Sequence, residues 1–257
     1  MQDFSEFSFE HKGITHPVYY KGSGAAIVVM HELPGMNPQC VDFARRIVNE
    51  GFTVFLPLMF GRPNEPVSIP TSLRFTAQLC LSREFYLFAK HQSSPITEWL
   101  RALCRDAYTR CNQKGVGVVG MCLTGGFVLS LMADEVVTAP VMGEPSLPFG
   151  ITKAHRAALG ISPAELEIAK QRAAQGIQPI GFRFSEDKIC PAERFATLRQ
   201  EFGDTIELHE IDSSNGNPYG NPSIAHSVFT VHFVDQEGHP TRQALDRILT
   251  MFKDRLA

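Results

Sequence analysis

The chain has 257 residues, 44% of them apolar, and a net charge of −3, which suits a globular protein with a sizeable core. A near-neutral balance without a basic stripe argues against nucleic acid as a partner, since phosphate binding needs clustered Lys and Arg. No apolar run approaches the ~20 residues of a membrane span, and residues 1–10 are acidic and aromatic rather than basic and apolar as a secretory signal would be, so a cytoplasmic location is expected.

Taken in chain order, residues 7–10 and 16–20 read as short strands around Gly13, an edge hairpin. Residues 25–30 are apolar and β-branched, as a buried parallel strand is, and 31–37 follow as a loop. Residues 40–49 have helical spacing, with Val41, Ala44, Ile47 and Val48 on one face and Gly51 as C-cap. Residues 53–57 are the next strand. The stretch 60–95, broken by Pro63, Pro66 and Pro70, reads either as a pocket lining or as a solvated connection. A helix is predicted over 95–110 and a strand over 116–119. The apolar run 127–132 then predicts another helix.

Residues 136–142 read as a strand and 144–149 as a loop. Ser162-Pro163-Ala164-Glu165 is a capping-box pattern with Pro at the first helical position, starting a helix to about Ala174. A strand over 179–184, a helix over 191–202 and a strand over 205–211 follow. The C-terminal helix, 240–256, is amphipathic, with Ala244, Leu245, Ile248, Leu249 and Phe252 on one face. Alternating strands and helices predict a parallel sheet covered on both faces. No linker divides the chain, so one domain over 1–257 is expected, with 60–95 and 144–175 as candidate pocket-lining segments.

Between the strand at 116–119 and the run at 127–132 lies Gly120-Met121-Cys122-Leu123-Thr124-Gly125-Gly126. Strand, sharp turn and helix, with small residues around a thiol at the tip, is the pattern of the nucleophile elbow of α/β-hydrolases. The other cysteines, Cys40, Cys80, Cys104, Cys111 and Cys190, form no Cys-x-x-Cys pair and read as free, mostly buried side chains. No zinc-type spacing is present, and neither metal nor cofactor is expected.

A thiol nucleophile needs a base, and the base needs an orienting acid. In that fold the order is nucleophile, acid, His. The strand at 179–184 runs into Ser185-Glu186-Asp187, which puts Asp187 at a carboxyl end, where open α/β sheets build their sites. Glu186 competes for the role, and a solvated turn is the plain alternative. His226 lies in a loop before the last helix. His232, within the apolar run 228–234, reads as a packed side chain, and His239, beside Pro240, as a surface residue.

These motifs, in this order, resemble the dienelactone hydrolase family over roughly the whole chain. The resemblance implies a Gly-x-Cys elbow with Cys122 as nucleophile, Asp187-Lys188-Ile189-Cys190-Pro191 as the acid segment, and His226-Ser227 as the base pair. It also implies a role for Glu32, in Glu32-Leu33-Pro34-Gly35, as a gate that holds the thiol neutral and away from the His until substrate binds. The plain alternative is a carboxylate that caps the helix starting near Asn37. The backbone N–H groups of Leu123 and Leu33 are the implied oxyanion hole. Two positions depart from the family pattern. Thr124 stands where the elbow has Gly, and Thr230 where the archetype has a carboxylate-binding Arg; Arg74 and Arg83 are candidates for a second such Arg. The implied activity is hydrolysis of a small-molecule ester or lactone through a thioester acyl-enzyme, with acyl groups other than dienelactone favoured. Acyl transfer or thioester cleavage on the same fold is the first alternative, and a non-catalytic ligand-binding or redox-sensing thiol protein the second.

Overall fold

In a computed structural model, which describes residues 1–64, 94–112, 114–147 and 152–257, β1 (Ser5–His11) and β2 (Ile14–Lys21) form the hairpin predicted around Gly13. Lys12 and Gly13 turn it at φ 51° and 79°, the positive-φ pair that suits the twist of a two-residue hairpin. Six further strands complete one sheet: β3 (Ala26–Met30), β4 (Thr53–Pro57), β5 (Val116–Met121), β6 (Val137–Gly143), β7 (Ile180–Phe184) and β8 (Glu207–Ile211). Their order is β1-β2-β4-β3-β5-β6-β7-β8. The hairpin strands pair antiparallel, and every pair from β4 to β8 is parallel.

Period-2 alternation assigns the strand side chains to two cores. Ala26, Val28 and Met30 of β3, with Val116 and Val118 of β5, enter one cluster. Ile27 and Val29, with Val119 and Met121, enter the other. The first cluster is covered by α2 (Pro95–Cys111), α3 (Val128–Leu131), α5 (Pro163–Ala174) and α6 (Ala192–Phe202), with a short α4 (Lys153–Ala157) beside them. The second is covered by α1 (Pro38–Asn49) and α7 (Pro240–Leu256). This is an α/β-hydrolase fold, and it explains why β3 and β5 are apolar without interruption: both of their faces are buried.

The topology also places the site. From β3 the chain crosses through α1 to β4 on one side, then returns through α2 to β5 on the other side of β3. Where the winding reverses, a crevice opens beyond the carboxyl ends of the two central strands.

Two expectations need correction. The helix after the elbow is not one continuous element over 127–132: residues Cys122–Phe127 form a 3-10 helix, and only Val128–Leu131 continue as α3. His239 is not a surface residue. It is buried and N-caps α7, its Nδ1 accepting from the Thr241 N–H at 3.3 Å. Cys40, Cys104 and Cys190 are free and buried, and Cys111 is half-buried.

Candidate active site

Cys122 sits at φ 53°, in the left-handed region, where a residue with a Cβ is held only at a cost of about 1–2 kcal/mol. The surrounding contacts enforce it. A Cβ on Gly120 would lie 2.3 Å from the Thr124 carbonyl oxygen, and one on Gly125 would lie 2.9 Å from the Gly143 carbonyl oxygen. The turn therefore packs too closely for side chains at those two positions. Thr124 turns out to be a constructive departure from the family pattern. Its hydroxyl accepts from the Met121 N–H at 2.9 Å and faces the carbonyls of Met121 and Met30 at 2.9 and 3.1 Å. One side chain thus ties the elbow to its own strand and to β3, which a glycine could not do.

Asp187 and His226 come from distant loops and meet. His226 Nδ1 lies 2.6 Å from Asp187 Oδ2. The other carboxylate oxygen accepts from the Ile189 and Cys190 N–H groups at 2.8 and 3.1 Å. Asp187 is buried whereas Glu186 is exposed, which separates the two competing acids. Behind this turn lies a residue that is not among the sequence candidates. Arg183, buried on β7, donates to the carbonyls of Cys190 at 3.0 Å and Ser185 at 2.9 Å, and pairs with Glu210. Only a buried Arg inside an otherwise apolar strand could have drawn attention to it.

Burial disfavours the charged form of the His226 ring. The Cys122 sulfur and the Asp187 carboxylate outweigh that, and the pKa of His226 is raised well above its ordinary value. Nε2 is buried and makes no well-aligned hydrogen bond among the described residues. The Cys122 sulfur is the first of the neighbours that favour the charged ring.

The loop carrying His226 is held by two side chains through three successive backbone N–H groups. His232 Nδ1 accepts from the N–H of His226 and of Ser227, each at 3.2 Å. Glu144 Oε2 accepts from the Val228 N–H at 3.1 Å. His232, expected as mere packing, is thus a cap on the base loop, and it caps only when Nδ1 is unprotonated. Burial, followed by the charge of His226, lowers its pKa, which favours that form.

Glu144 has no counterpart among the sequence candidates, which treat 144–149 simply as a loop. It follows β6, is fully buried, and adopts φ 36°. Its Oε1 has no partner among the described residues. Burial pushes its pKa well up. His226 opposes that rise, while Glu32 and Asp187 add to it. Burial and the two neighbouring carboxylates thus favour the neutral form of Glu144.

Glu32, at the end of β3, is buried. Its carboxylate accepts from Asn37 Nδ2 at 3.2 Å and bonds the hydroxyls of Ser227 and Thr230. Asn37 itself caps α1, accepting from the Cys40 N–H at 2.7 Å. The helix cap is thus Asn37, and Glu32 supports it instead of capping directly. Thr230 fills the position of the archetypal Arg with a small buried hydroxyl, so no guanidinium stands there. Leu33 and Leu123 pack against the same cluster, which also contains Cys122. Arg74 and Arg83 lie outside the described residues.

A recess beside the elbow is lined by Gly125, Leu129, Met142, Pro145, Leu159 and Arg194, among others. Pro145 and Leu159 come from the segment expected to line a pocket. Buried Arg194 pins that segment by donating to the carbonyls of Pro145, His155 and Ala158 at 3.0, 3.1 and 2.8 Å. Among the described residues no group of three or more His, Cys, Asp or Glu could hold a metal ion, and no helix is long and apolar enough to cross a membrane.

A thiol on a positive-φ elbow after β5, an acid after β7 and a histidine before the last helix, over one mostly parallel sheet, place this protein in the α/β-hydrolase superfamily. Within it, the model of the dienelactone hydrolase family matches residues 16–253, and the chain belongs to that family of hydrolases. Solved structures share the fold across essentially their whole length. A dienelactone hydrolase from Anabaena variabilis is 13% identical, with a TM-score of 0.61 and 99% and 100% of the two chains covered. A cold-adapted esterase from an Arctic intertidal metagenomic library is 14% identical, with a TM-score of 0.60 and coverage of 100% and 96%. A thioesterase domain from the curacin biosynthetic pathway is 9% identical, with a TM-score of 0.58 and coverage of 96% and 99%. At these identities the likeness is one of fold. No curated protein matches the sequence.

Proposed function

We propose that this hydrolase cleaves a small-molecule carboxylic ester or lactone through a Cys122–His226–Asp187 triad and a thioester acyl-enzyme. The observation that carries the reading is the joint placement of Cys122 at φ 53° and of His226 at 2.6 Å from Asp187. The sulfur attacks the carbonyl carbon as thiolate, with His226 holding the proton. Asp187 keeps Nδ1 protonated and the ring oriented, and stabilises the imidazolium. The N–H groups of Leu123 and Leu33 serve as oxyanion donors. Leu123 is suited to this because the N–H groups of a helix's first turn have no partner inside the helix. As the tetrahedral adduct collapses, the C–O bond breaks and His226 passes its proton to the leaving oxygen. Water, deprotonated by the same ring, then releases the acid.

Glu32, in this reading, couples the β3 loop to the base loop through Ser227 and Thr230. Acting as a gate on Cys122 would require its carboxylate to leave three donors, so the arrangement supports positioning over gating. With Thr230 in place of Arg, the described part of the site has no free cation for a second substrate carboxylate, which favours neutral esters.

Intact-protein mass spectrometry after mixing with 4-nitrophenyl acetate tests the triad. Wild type is expected to gain one acetyl group on Cys122, removable by neutral hydroxylamine, and Cys122→Ala to gain none and to turn over no ester. Steady turnover by Cys122→Ala would refute the assignment.

A further inference from the structure

We propose that His31 is a positioning residue of the oxyanion hole, aiming the Leu33 N–H through the carbonyl on the other side of the same peptide. The proposal rests on the reading of Cys122 as an acylated nucleophile and of Leu33 N–H as one of its oxyanion donors.

His31 is fully buried at the end of β3, and its ring lies edge-on to Phe60 at 4.3 Å between centroids. Nε2 lies 3.2 Å from the Met59 nitrogen and Nδ1 lies 3.1 Å from the Glu32 carbonyl oxygen. A backbone N–H can only donate, so Nε2 must be the bare nitrogen. The proton then sits on Nδ1 and is donated to the Glu32 carbonyl, which can only accept. Both contacts are satisfied by the neutral ring alone. Burial lowers the His31 pKa to about 4, so the ring stays neutral across the working range.

The consequence follows from peptide geometry. The Glu32 C=O and the Leu33 N–H belong to one planar trans peptide and point in opposite directions. Fixing the carbonyl toward the His31 ring fixes the N–H away from it. Leu33 itself packs on the cluster that holds Cys122 and Leu123. The ring also bridges two strands, because Met59 follows β4 while Glu32 follows β3. The orientation of the donor is thereby tied to the rigid sheet rather than to its loop. Accepting a hydrogen bond at the carbonyl also polarises the amide and makes its N–H a stronger donor, and the bond from Met59 to Nε2 extends that chain. The Glu32 side chain is pinned separately by Asn37, Ser227 and Thr230, so the peptide has little freedom to swing.

Two substitutions separate the two ring nitrogens. His31→Asn places an amide N–H where Nδ1 stands, keeping the donor to the Glu32 carbonyl and losing Met59. His31→Gln reaches to the Nε2 position, keeping an acceptor for Met59 and losing the donor to Glu32. Each variant is assayed for two reactions of Cys122. Acylation by 4-nitrophenyl acetate forms a C–S bond, expels 4-nitrophenolate and passes through an oxyanion. Alkylation by iodoacetamide also forms a C–S bond and expels iodide, but at a saturated carbon with no oxyanion. His31→Gln is expected to slow acylation about 10- to 100-fold, short of the ~100- to 1000-fold for outright loss of a donor. Its effect should fall on kcat rather than KM, with alkylation within about twofold of wild type. His31→Asn is expected to acylate within about threefold of wild type.

Unchanged acylation in His31→Gln would overturn the proposal. So would an equal fall in both reactions, which marks general disruption, or an equal fall in both variants. Nitrogen-15 NMR of the wild-type protein tests the tautomer without any substitution: a proton on Nε2 in place of Nδ1 also overturns it. If Cys122→Ala acylates as fast as wild type, the triad reading fails, and this proposal fails with it by a distinguishable route.

Discussion

Glu144 places one carboxyl oxygen 3.1 Å from the Val228 nitrogen, so an acid at the end of β6 holds the chain two residues beyond His226. The same carboxyl is surrounded by His226, Glu32 and Asp187 and has its pKa raised well above the ordinary 4.5, first by burial. An acid that folding makes weaker holds its proton more tightly in the native than in the unfolded chain. As pH rises above about 4.5 the unfolded chain releases that proton first, so this group's contribution to stability falls toward the folded pKa.

Glu144→Gln keeps an acceptor for the Val228 N–H and removes the titration. Its melting temperature relative to wild type is expected to climb steadily between pH 5 and pH 8, measured by calorimetry. A difference that does not grow with pH would mean that Glu144 is ionised in the fold. Glu144→Ala loses the acceptor as well, and should cost about 1–3 kcal/mol for the buried N–H it strands.

For Asp187 the two carboxylate oxygens do separate jobs, and Asn can retain one of them. Asp187→Asn keeps Oδ1 as acceptor for the Ile189 and Cys190 N–H groups, so the turn should hold and the melting temperature should stay near wild type. At Oδ2 the charge is lost, and the amide no longer orients and stabilises the protonated ring. The expected fall in kcat is about 10²- to 10⁴-fold. A variant that keeps its activity would remove Asp187 from the triad.

His232 has the opposite pH sign to Glu144. Its pKa is lowered from 6.5, chiefly by burial, so below pH 6.5 the unfolded chain binds a proton that the fold resists. The stability it contributes is present above that pH and is lost as pH falls toward the folded value. His232→Asn can offer an amide oxygen where Nδ1 stands, and should retain most activity while flattening this acid-side loss. His232→Phe leaves the His226 and Ser227 N–H groups unsatisfied, at about 1–3 kcal/mol each, and should lower kcat. Equal activity of the Phe and Asn variants would show that the cap does not position the base.

Thr124→Ser retains the hydroxyl that meets Met121 and Met30, and is expected to match wild type in stability and acylation rate. Thr124→Val keeps the shape but strands the Met121 N–H, a loss of about 1–3 kcal/mol by chemical denaturation. Thr124→Gly, which restores the family's residue, should also be less stable than wild type. If it is more stable, the hydroxyl contributes nothing that the glycine lacks.

Much of the frame was readable from patterns alone, because the signals are local. The period-2 hairpin, the uninterrupted apolar runs of β3 and β5, and the amphipathic spacing of α7 each report what their own residues must bury. The N-cap at Ser162 forms as expected, Ser162 accepting from the Glu165 N–H at 3.3 Å and donating its hydroxyl to the Glu165 carboxylate at 2.7 Å. The helix after the elbow was misjudged for the opposite reason. The apolar run 127–132, broken only by Ser130, predicts a helix, yet the turn that leads into it is a 3-10 form whose Gly125 lies close against Gly143 and Pro145 of a later segment.

Chain order and residue type thus singled out Cys122, Asp187 and His226 as candidates, since a thiol elbow restricts where its acid and base can follow. Tertiary structure alone decided what holds them. Glu144, Arg183, His31 and His232 act through backbone groups, Glu144 and His31 reaching Val228 and Met59 in other segments, and a hydrogen bond to a backbone atom leaves no mark on the sequence of its partner. Glu32 shows the same division. Its presence after β3 is plain from sequence, but its commitment to Asn37, Ser227 and Thr230 arises only when folding brings residues almost 200 positions apart into one buried cluster.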